Sequence, residues 1–254
     1  MKINILAFML CALILQSCST GKEILYMQDA SQYNNTKINY TDATIQPNDI
    51  LKVTIGALIP ETAIPYNKIT ANSVQANNVD VMRLEGYLVS SNSTISLPIL
   101  GEVSILGETT ETLELKIVEM LEKGGHLVNP SVIVRLMNAK VTILGEVNQP
   151  GTYSFTEKNI TFLQALGLAG DLTIKGKRED IMLIREVDGV RTVSHINITK
   201  SDWFDTEAYY IKPNDVIVVN PNNPKVKSAG FIGDSAAVLT IASLVLSTAI
   251  LLTR

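Results

Sequence analysis

The sequence predicts an α+β protein with two small α/β domains followed by a C-terminal transmembrane helix. Three observations carry this prediction. Short β-branched runs alternate with turn residues, two isolated segments have apolar residues at helical spacing, and a charge-free segment lies near the C terminus. With 254 residues, of which 46% are hydrophobic, the chain is long and apolar enough to form packed cores.

The N terminus is predicted to be a lipoprotein signal peptide, residues 1–17. Lys2 precedes an apolar run, Ile3 to Leu15, which is shorter than the roughly 20 residues that span a bilayer. Leu15-Gln16-Ser17-Cys18 resembles the bacterial lipobox, which predicts lipidation of Cys18. Cys11 lies inside the signal, so the mature chain would hold one cysteine, and acylation gives that thiol a use. The alternative is an ordinary signal peptide with a chance cysteine.

Charge excludes one class of partner. Removal of Lys2 with the signal leaves 20 basic and 25 acidic residues, a net charge of −5. The basic residues form no cluster that could neutralise a run of phosphates, so no nucleic acid partner is expected.

After a polar tether at 18–44, the first predicted domain spans 45–137. Pro47, Asn48 and Asp49 form a turn that leads into a strand, and a polar loop is expected at 66–80. A helix is predicted to begin at Thr109 or Thr110 and to end at Gly124-Gly125. The other predicted elements of this domain are strands at 50–55, 86–89, 94–97, 101–106 and 129–136.

The second predicted domain spans 138–222. Pro150-Gly151 predicts a type II turn between strands at 141–147 and 153–155. A short helix is expected at 161–169, and Asp188-Gly189 predicts a hairpin between strands at 181–187 and 190–198.

Two short phrases recur in the chain. Ile45-Gln46-Pro47-Asn48-Asp49 returns as Ile211-Lys212-Pro213-Asn214-Asp215, and Ile99 to Val103 returns as Ile143 to Val147. The recurrence predicts related small units. Glu102 and Glu146 are therefore interpreted as equivalent positions in two units rather than as a pair of catalytic acids.

A linker at 223–234 precedes the predicted transmembrane helix at 235–253. The uncharged run from Ala236 to Leu252 would be about 25 Å long as a helix, close to the thickness of a thin outer membrane. Small and hydroxylic residues share one face, which could pack against another helix or line a pore: Ala236, Thr240, Ser243 and Ser247. The plain alternative is a single anchor.

The residues that usually carry enzyme chemistry are not assembled in this sequence. His126 and His195 lie far apart, and the chain has no catalytic or phosphate-binding motif. We therefore predict no catalytic residue, no metal site and no cofactor. Trp203-Phe204 and Tyr209-Tyr210 could stack on a sugar, but such a cluster more often belongs to a core, and we expect that.

These motifs resemble those of the polysaccharide export lipoproteins typified by Wza. Ile45-x-Pro47-Asn48-Asp49 resembles the export-signature domain, and Gly145-Glu146-Val147-x-x-Pro150-Gly151 resembles the soluble ligand-binding β-grasp (SLBB) domain. The resemblance implies a ring-shaped homo-oligomer in the outer membrane, with its body in the periplasm, that exports polysaccharide. It also implies an inner-membrane co-polymerase or tyrosine autokinase as partner.

Two features depart from the larger exporters. The chain has one clear β-grasp unit, and its terminal helix is less amphipathic than a water-lined barrel requires. The sequence thus leaves two functions open. The first is a passive export conduit, and the second is a lipid-anchored module that binds a soluble ligand or oligosaccharide without forming a pore.

Overall fold

The computed structural model describes residues 24–32, 40, 42–68 and 85–223, together with the pairs 239–240, 243–244 and 247–248. Helices and strands mix within the described body, which confirms the α+β class. Two separate clusters of buried apolar side chains divide this body into two domains, and Leu136 packs against both clusters.

The first domain consists of β1 (Ile50–Gly56), α1 (Pro60–Ala63), β2 (Tyr87–Leu88), β3 (Thr94–Leu97), β4 (Gly101–Ser104), α2 (Thr110–Lys123) and β5 (Ser131–Leu136). The strands form an antiparallel sheet in the order β2-β1-β5 and a separate β3-β4 hairpin. Helix α2 covers the sheet with a fully buried stripe of Leu113, Ile117 and Leu121.

The ends of α2 lie where the sequence predicts them. The Thr109 hydroxyl accepts a hydrogen bond from the Thr112 backbone N–H, and the Thr112 side chain accepts from the Thr109 N–H, which completes a capping box. Gly125 ends the helix in a left-handed conformation, φ 67°, that glycine adopts without strain. This predicted helix is confirmed.

The second domain consists of β6 (Lys140–Gly145), β7 (Gly151–Ser154), β8 (Ile160–Thr161), α3 (Phe162–Leu168), β9 (Gly176–Val187), β10 (Val190–Ile196), β11 (Tyr210–Ile211) and β12 (Val216–Pro221). Its main sheet has the order β10-β9-β12-β6-β7, in which β12 runs parallel to β6 and the other neighbours are antiparallel. Helix α3 buries Phe162, Ala165 and Leu166 in the core.

The aromatic cluster belongs to the core of the second domain, as predicted. Trp203 is 4% exposed, and its ring meets Phe162 edge-on at 5.7 Å. Phe204 and Tyr209 pack around it at 4.9 and 5.9 Å between ring centres.

The predicted type II turn at Pro150-Gly151 is wrong. Gly151 lies in β7 opposite Ile143, and its φ is not positive, as a type II turn would require. The loop between β6 and β7 is wider than a four-residue turn, because its backbone is hydrogen-bonded to the end of α3. The backbone N–H of Asn148 donates to the Asp171 carbonyl at 3.0 Å, and that of Gln149 donates to the Ala169 carbonyl at 2.9 Å.

The second recurring phrase does not mark equivalent positions, so that prediction is also wrong. Glu146 follows directly on β6, and its carboxylate accepts a hydrogen bond from the Thr173 hydroxyl at 3.0 Å. Glu102 instead lies inside β4, after a turn in which Ile99 has a positive φ, and it accepts from the Thr94 hydroxyl at 2.7 Å. The same sequence phrase therefore lies at the end of β6 in one case and at the start of β4 in the other.

Candidate functional site

The first family motif forms a closed turn at the start of β1. Asn48 has φ 71°, and the Asp49 N–H donates to the Gln46 carbonyl at 3.1 Å, which defines a type II turn with Pro47 at its second position. The Asp49 carboxylate accepts the Gln46 N–H at 2.8 Å, and the Asp49 side chain is almost fully buried. The buried Asp49 side chain therefore stabilises the turn through a hydrogen bond to the backbone of Gln46.

The recurring phrase builds the same turn before β12. Asn214 has φ 69°, the Asp215 N–H donates to the Lys212 carbonyl at 3.2 Å, and the Asp215 carboxylate accepts the Lys212 N–H at 2.8 Å. The recurrence of Pro-Asn-Asp is thus structural, unlike that of the second phrase.

The two buried acids differ in their counter-charge. Arg185 on β9 binds both oxygens of Asp215, with contacts from 2.7 to 3.3 Å, and donates also to the Glu207 and Tyr210 carbonyls. Among the residues that the structure describes, Asp49 makes no ion pair. Arg185 therefore neutralises the charge of the acid in the second turn, whereas no described residue neutralises the charge of Asp49 in the first.

This difference affects how the two acids titrate. Burial raises the pKa of Asp49 from its ordinary 3.8 to about 6, and the hydrogen bond from Gln46 only partly opposes the rise. Burial also raises the pKa of Asp215, but there the Arg185 guanidinium favours the ionised form. Because a guanidinium stays protonated, Asp215 serves as its permanent counter-ion.

Both turns hold the short connector between the domains. The Asn138 side chain accepts the Ile50 N–H at 2.9 Å and donates to the Asn48 carbonyl at 3.1 Å. From the other side, the Asn214 N–H donates to the Lys140 carbonyl at 2.7 Å. The first motif therefore lies at the junction of the domains, and the two matching turns fix the connector from opposite sides.

Gln46 adds a further link at this junction. Its side chain accepts the Asp188 N–H at 3.1 Å and donates to the Asp188 carboxylate at 3.3 Å. The tip of the β9–β10 hairpin is thus held by a side chain of the first domain.

A groove of about 470 Å³ also lies between the domains. The first domain contributes Lys52 and Arg135, and the second contributes Phe155, Lys158 and Pro213. Lys158 pairs across the junction with Glu111 at 2.6 Å, an exposed contact that adds little to stability. The groove is lined by apolar side chains and by charges of both signs, because Asp42 and Glu157 line it together with the three cationic side chains.

The second family motif lies at the opposite end of β6 from this junction. Gly145 has φ 90°, and a Cβ atom there would lie 2.1 Å from the Val219 carbonyl oxygen, so only glycine fits. The Glu146 carbonyl accepts the Thr173 N–H at 3.0 Å. Pro150 and Gly151 follow in the loop that is tied to the end of α3. This motif therefore shapes the far edge of the second domain.

The remaining predicted site residues lie in or near the chain ends. Cys18 and Ala236 are outside the described residues, as is most of the predicted helix at 235–253. Thr240, Ser243 and Ser247 are helical and exposed; the Ser243 hydroxyl donates to the Thr240 carbonyl at 2.9 Å, and the Ser247 hydroxyl donates to the Ser243 carbonyl. No helix within the described part of the chain is long and apolar enough to cross a membrane.

Sequence reasoning missed Arg185 and Asn138, and it missed the link that Gln46 makes between the domains. One signal could have identified Arg185, because it continues the buried phase of the β9 alternation after Ile181 and Leu183. A charged residue in a buried phase needs a partner of opposite charge. Nothing in the sequence marks Asn138 or Gln46 as links between domains.

Comparison with known families assigns both domains. Residues 38–137 match the family described as polysaccharide biosynthesis/export protein, and residues 140–193 match the SLBB domain. The chain thus carries a polysaccharide export domain followed by an SLBB domain, and the resemblance to the export proteins typified by Wza is confirmed. The SLBB match ends within β10, whereas the sheet continues to β12, which pairs with both β6 and β9.

Several curated proteins are similar to this chain. The EPS I polysaccharide export outer membrane protein EpsA of Ralstonia solanacearum is 25% identical over 71% of this chain and 48% of its own length. The exopolysaccharide production protein ExoF of Rhizobium meliloti is 34% identical over 34% of this chain and 21% of its own. The capsule polysaccharide export protein BexD of Haemophilus influenzae is 23% identical over 54% of this chain and 34% of its own. The chain spans about half the length of EpsA and about a third or less of the length of ExoF and BexD.

Proposed function

We propose that this protein is the outer-membrane component of a polysaccharide export channel, in which copies of the chain form a ring-shaped conduit. The order of an export domain followed by an SLBB domain carries the proposal, because similar chains are named for polysaccharide export or production. A passive conduit needs no assembled acid, base or nucleophile, so we assign the protein no catalytic step and no cofactor.

Two membrane attachments belong to this proposal. One is a lipid on Cys18, and the other is a membrane helix at 235–253. Described residues on the chain beside each attachment bind one loop of the second domain: the Tyr26 hydroxyl donates to Asp171, and the Asn222 N–H donates to the Lys175 carbonyl. The first domain lies beyond the junction at the other end of β6. It is therefore the part that would reach toward an inner-membrane co-polymerase or tyrosine autokinase.

Deletion and complementation test the function. We expect loss of the protein to abolish surface polysaccharide, the wild-type chain to restore it, and Cys18→Ser to restore it poorly because the unlipidated chain would not reach the outer membrane. Electron microscopy of the detergent-solubilised protein should show rings. A monomer under every condition, together with unchanged surface polysaccharide after deletion, would overturn the proposal.

The groove between the domains favours a second candidate function. A lipid-anchored module could bind an oligosaccharide there without forming a pore, since a volume of about 470 Å³ is within the range of small-ligand sites. Titration calorimetry with fragments of the surface polysaccharide separates the two functions. Binding by a protein that never forms rings would favour the module.

A further inference from the structure

The N-terminal segment is fixed onto the second domain. The Tyr26 hydroxyl donates to the Asp171 carboxylate at 2.6 Å, and the Tyr26 ring lies over the buried guanidinium of Arg178 at 5.4 Å. The Met27 and Gln28 N–H groups donate to the carbonyls of Ile198 and Thr199, both at 2.9 Å. Burial and the neighbouring Asp171 raise the pKa of Tyr26 to about 12, so its hydroxyl remains a donor at physiological pH. The chain that follows Cys18 therefore docks on this domain.

The chain leaves the second domain at the same place. After β12, the Asn222 N–H donates to the Lys175 carbonyl at 2.7 Å, and the Asn222 side chain donates to the Ile174 carbonyl at 3.3 Å. Asp171, Ile174 and Lys175 belong to a single loop, residues 171–175, which we call the edge loop. Both ends of the body thus meet at the edge loop.

The N-terminal segment and the edge loop each expose apolar side chains. Leu25 is 60% exposed, Ile174 is 62% exposed, and Ile24 is 37% exposed. We call these three residues the apolar edge. Lys175 is also exposed next to Ile174 and has no ion-pair partner among the described residues. Aliphatic side chains beside a basic one suit a membrane interface, where the aliphatic groups can be buried and the basic group can pair with anionic lipid.

The length of the chain beyond the apolar edge limits its distance from the membrane. Ile24 lies six positions after Cys18, and at about 3.5 Å per position the chain between them reaches about 20 Å at most. Position 235, where the membrane helix is proposed to begin, lies twelve positions after position 223, a reach of about 40 Å at most. A lipid on Cys18 would therefore hold the apolar edge within a short distance of the bilayer surface.

We propose that the apolar edge is a membrane-contact surface. Ile24, Leu25 and Ile174 insert at the boundary between headgroups and acyl chains of the periplasmic leaflet, and Lys175 pairs with a lipid phosphate. The contact orients the second domain against the membrane and directs the first domain away from it. This inference rests on the two membrane attachments of the proposed function.

Fluorescence of a single attached probe tests the contact in the full-length protein reconstituted into phospholipid vesicles. An environment-sensitive NBD group is attached at Ile174→Cys, and a matched control carries it at Val128→Cys, an exposed aliphatic position of the first domain. We expect a blue-shifted emission at position 174, with quenching by nitroxide-labelled lipids and protection from aqueous iodide. At position 128 we expect quenching by iodide alone.

Two results would overturn the contact while the attachments stand. Equal iodide quenching at both positions would show that Ile174 faces water, and shielding of position 174 from both quenchers would assign it to a contact between subunits. The attachments have a separate readout, because acylated Cys18 cannot react with the probe. If the wild-type chain takes up NBD, or fails to float with the vesicles, the attachments fail and the contact proposal falls with them.

Discussion

The two buried aspartates of the matching turns make different predictions at the level of single residues. The folded state keeps a proton on Asp49 up to a pH of about 6, whereas the unfolded chain releases it near pH 4. The contribution of Asp49 to stability is therefore expected to fall as the pH rises from 4 to 6, by at most about 3 kcal/mol, and to level off above that window.

Asp49→Asn should remove this pH dependence. Asparagine keeps an oxygen that can accept the Gln46 N–H but cannot ionise, so we expect the variant to be more stable than wild type at pH 8 by on the order of 1–2 kcal/mol. At pH 4 the two proteins should be nearly equal. Thermal unfolding of the solubilised chain, followed by circular dichroism at both pH values, measures the difference. A stability difference between wild type and Asp49→Asn that is the same at pH 4 and pH 8 would contradict a raised pKa for Asp49.

Asp215→Asn is the matched change in the other turn, and it should act in the opposite direction. It leaves Arg185 charged and buried without a counter-ion, which costs about 3–5 kcal/mol in other proteins. Trp203 is the only tryptophan and lies in the core of this domain, so its fluorescence reports unfolding there. Adding Arg185→Met should recover part of the loss. If the double variant is no more stable than Asp215→Asn alone, the cost does not come from the unpaired charge.

At the level of elements, Gly145 is expected to be irreplaceable and Gly167 dispensable. Gly145→Ala would place a methyl group 2.1 Å from the Val219 carbonyl oxygen at a positive φ, so β6 and β12 would have to separate. We expect a loss of more than about 2 kcal/mol. Gly167 lies in α3 with open space around its Cα, and Gly167→Ala should stabilise the domain by about 0.5–1 kcal/mol. Denaturant titration with Trp203 fluorescence compares the two variants, and equal stability would refute the close approach.

Elements that depend on local signals could be predicted from the sequence. Helix α2 is set by its Thr109 cap and its terminal glycines, and the β9–β10 hairpin by Asp188-Gly189, whose φ values are 51° and 76°. The loop at Pro150-Gly151 has an equally clear local signal but obeys hydrogen bonds to a distant segment, the end of α3. Local chemistry therefore decides α2 and the β9–β10 hairpin, whereas at Pro150-Gly151 the backbone follows its hydrogen bonds to Ala169 and Asp171.

In the candidate site, too, the parts set by local signals could be predicted and the parts set by long-range contacts could not. The turn at 46–49 could be predicted, because proline and asparagine suit its two central positions. Its role at the domain junction could not, since Asn138 lies 90 residues from Asn48 in the chain. The pairing of Arg185 with Asp215 spans 30 residues and likewise becomes visible only once the strands are placed side by side.

At the scale of the whole molecule, β6 connects two functional ends. Its first residue, Lys140, belongs to the domain junction, and its last residue, Gly145, leads into the edge where the N-terminal segment and the chain after β12 are bound. If the proposed membrane contact forms at this edge, β6 fixes the orientation of the export domain relative to the membrane. A fixed orientation of the two domains suits a ring, because every subunit of a ring has the same orientation relative to the membrane.

The conduit makes a prediction about Thr240, Ser243 and Ser247. The hydroxyls of Ser243 and Ser247 donate to carbonyls of their own helix, so they are satisfied without water, yet their oxygens can still accept hydrogen bonds from it. If this face lines a lumen, replacing all three residues with leucine makes the wall apolar and narrower. We expect surface polysaccharide to be lost, while the amount of membrane-bound protein and the size of the ring stay unchanged.

A control for this triple variant changes the neighbouring apolar positions, Leu239→Ile and Leu244→Ile. These exposed residues of the same segment keep their volume and polarity in the control, so export should continue. Surface polysaccharide is quantified by immunoblot in a deletion strain that carries each variant. If the triple leucine variant exports at the wild-type level with its rings intact, the hydroxyl face is not the polymer's path. The segment would then serve as an anchor, as the binding-module function requires.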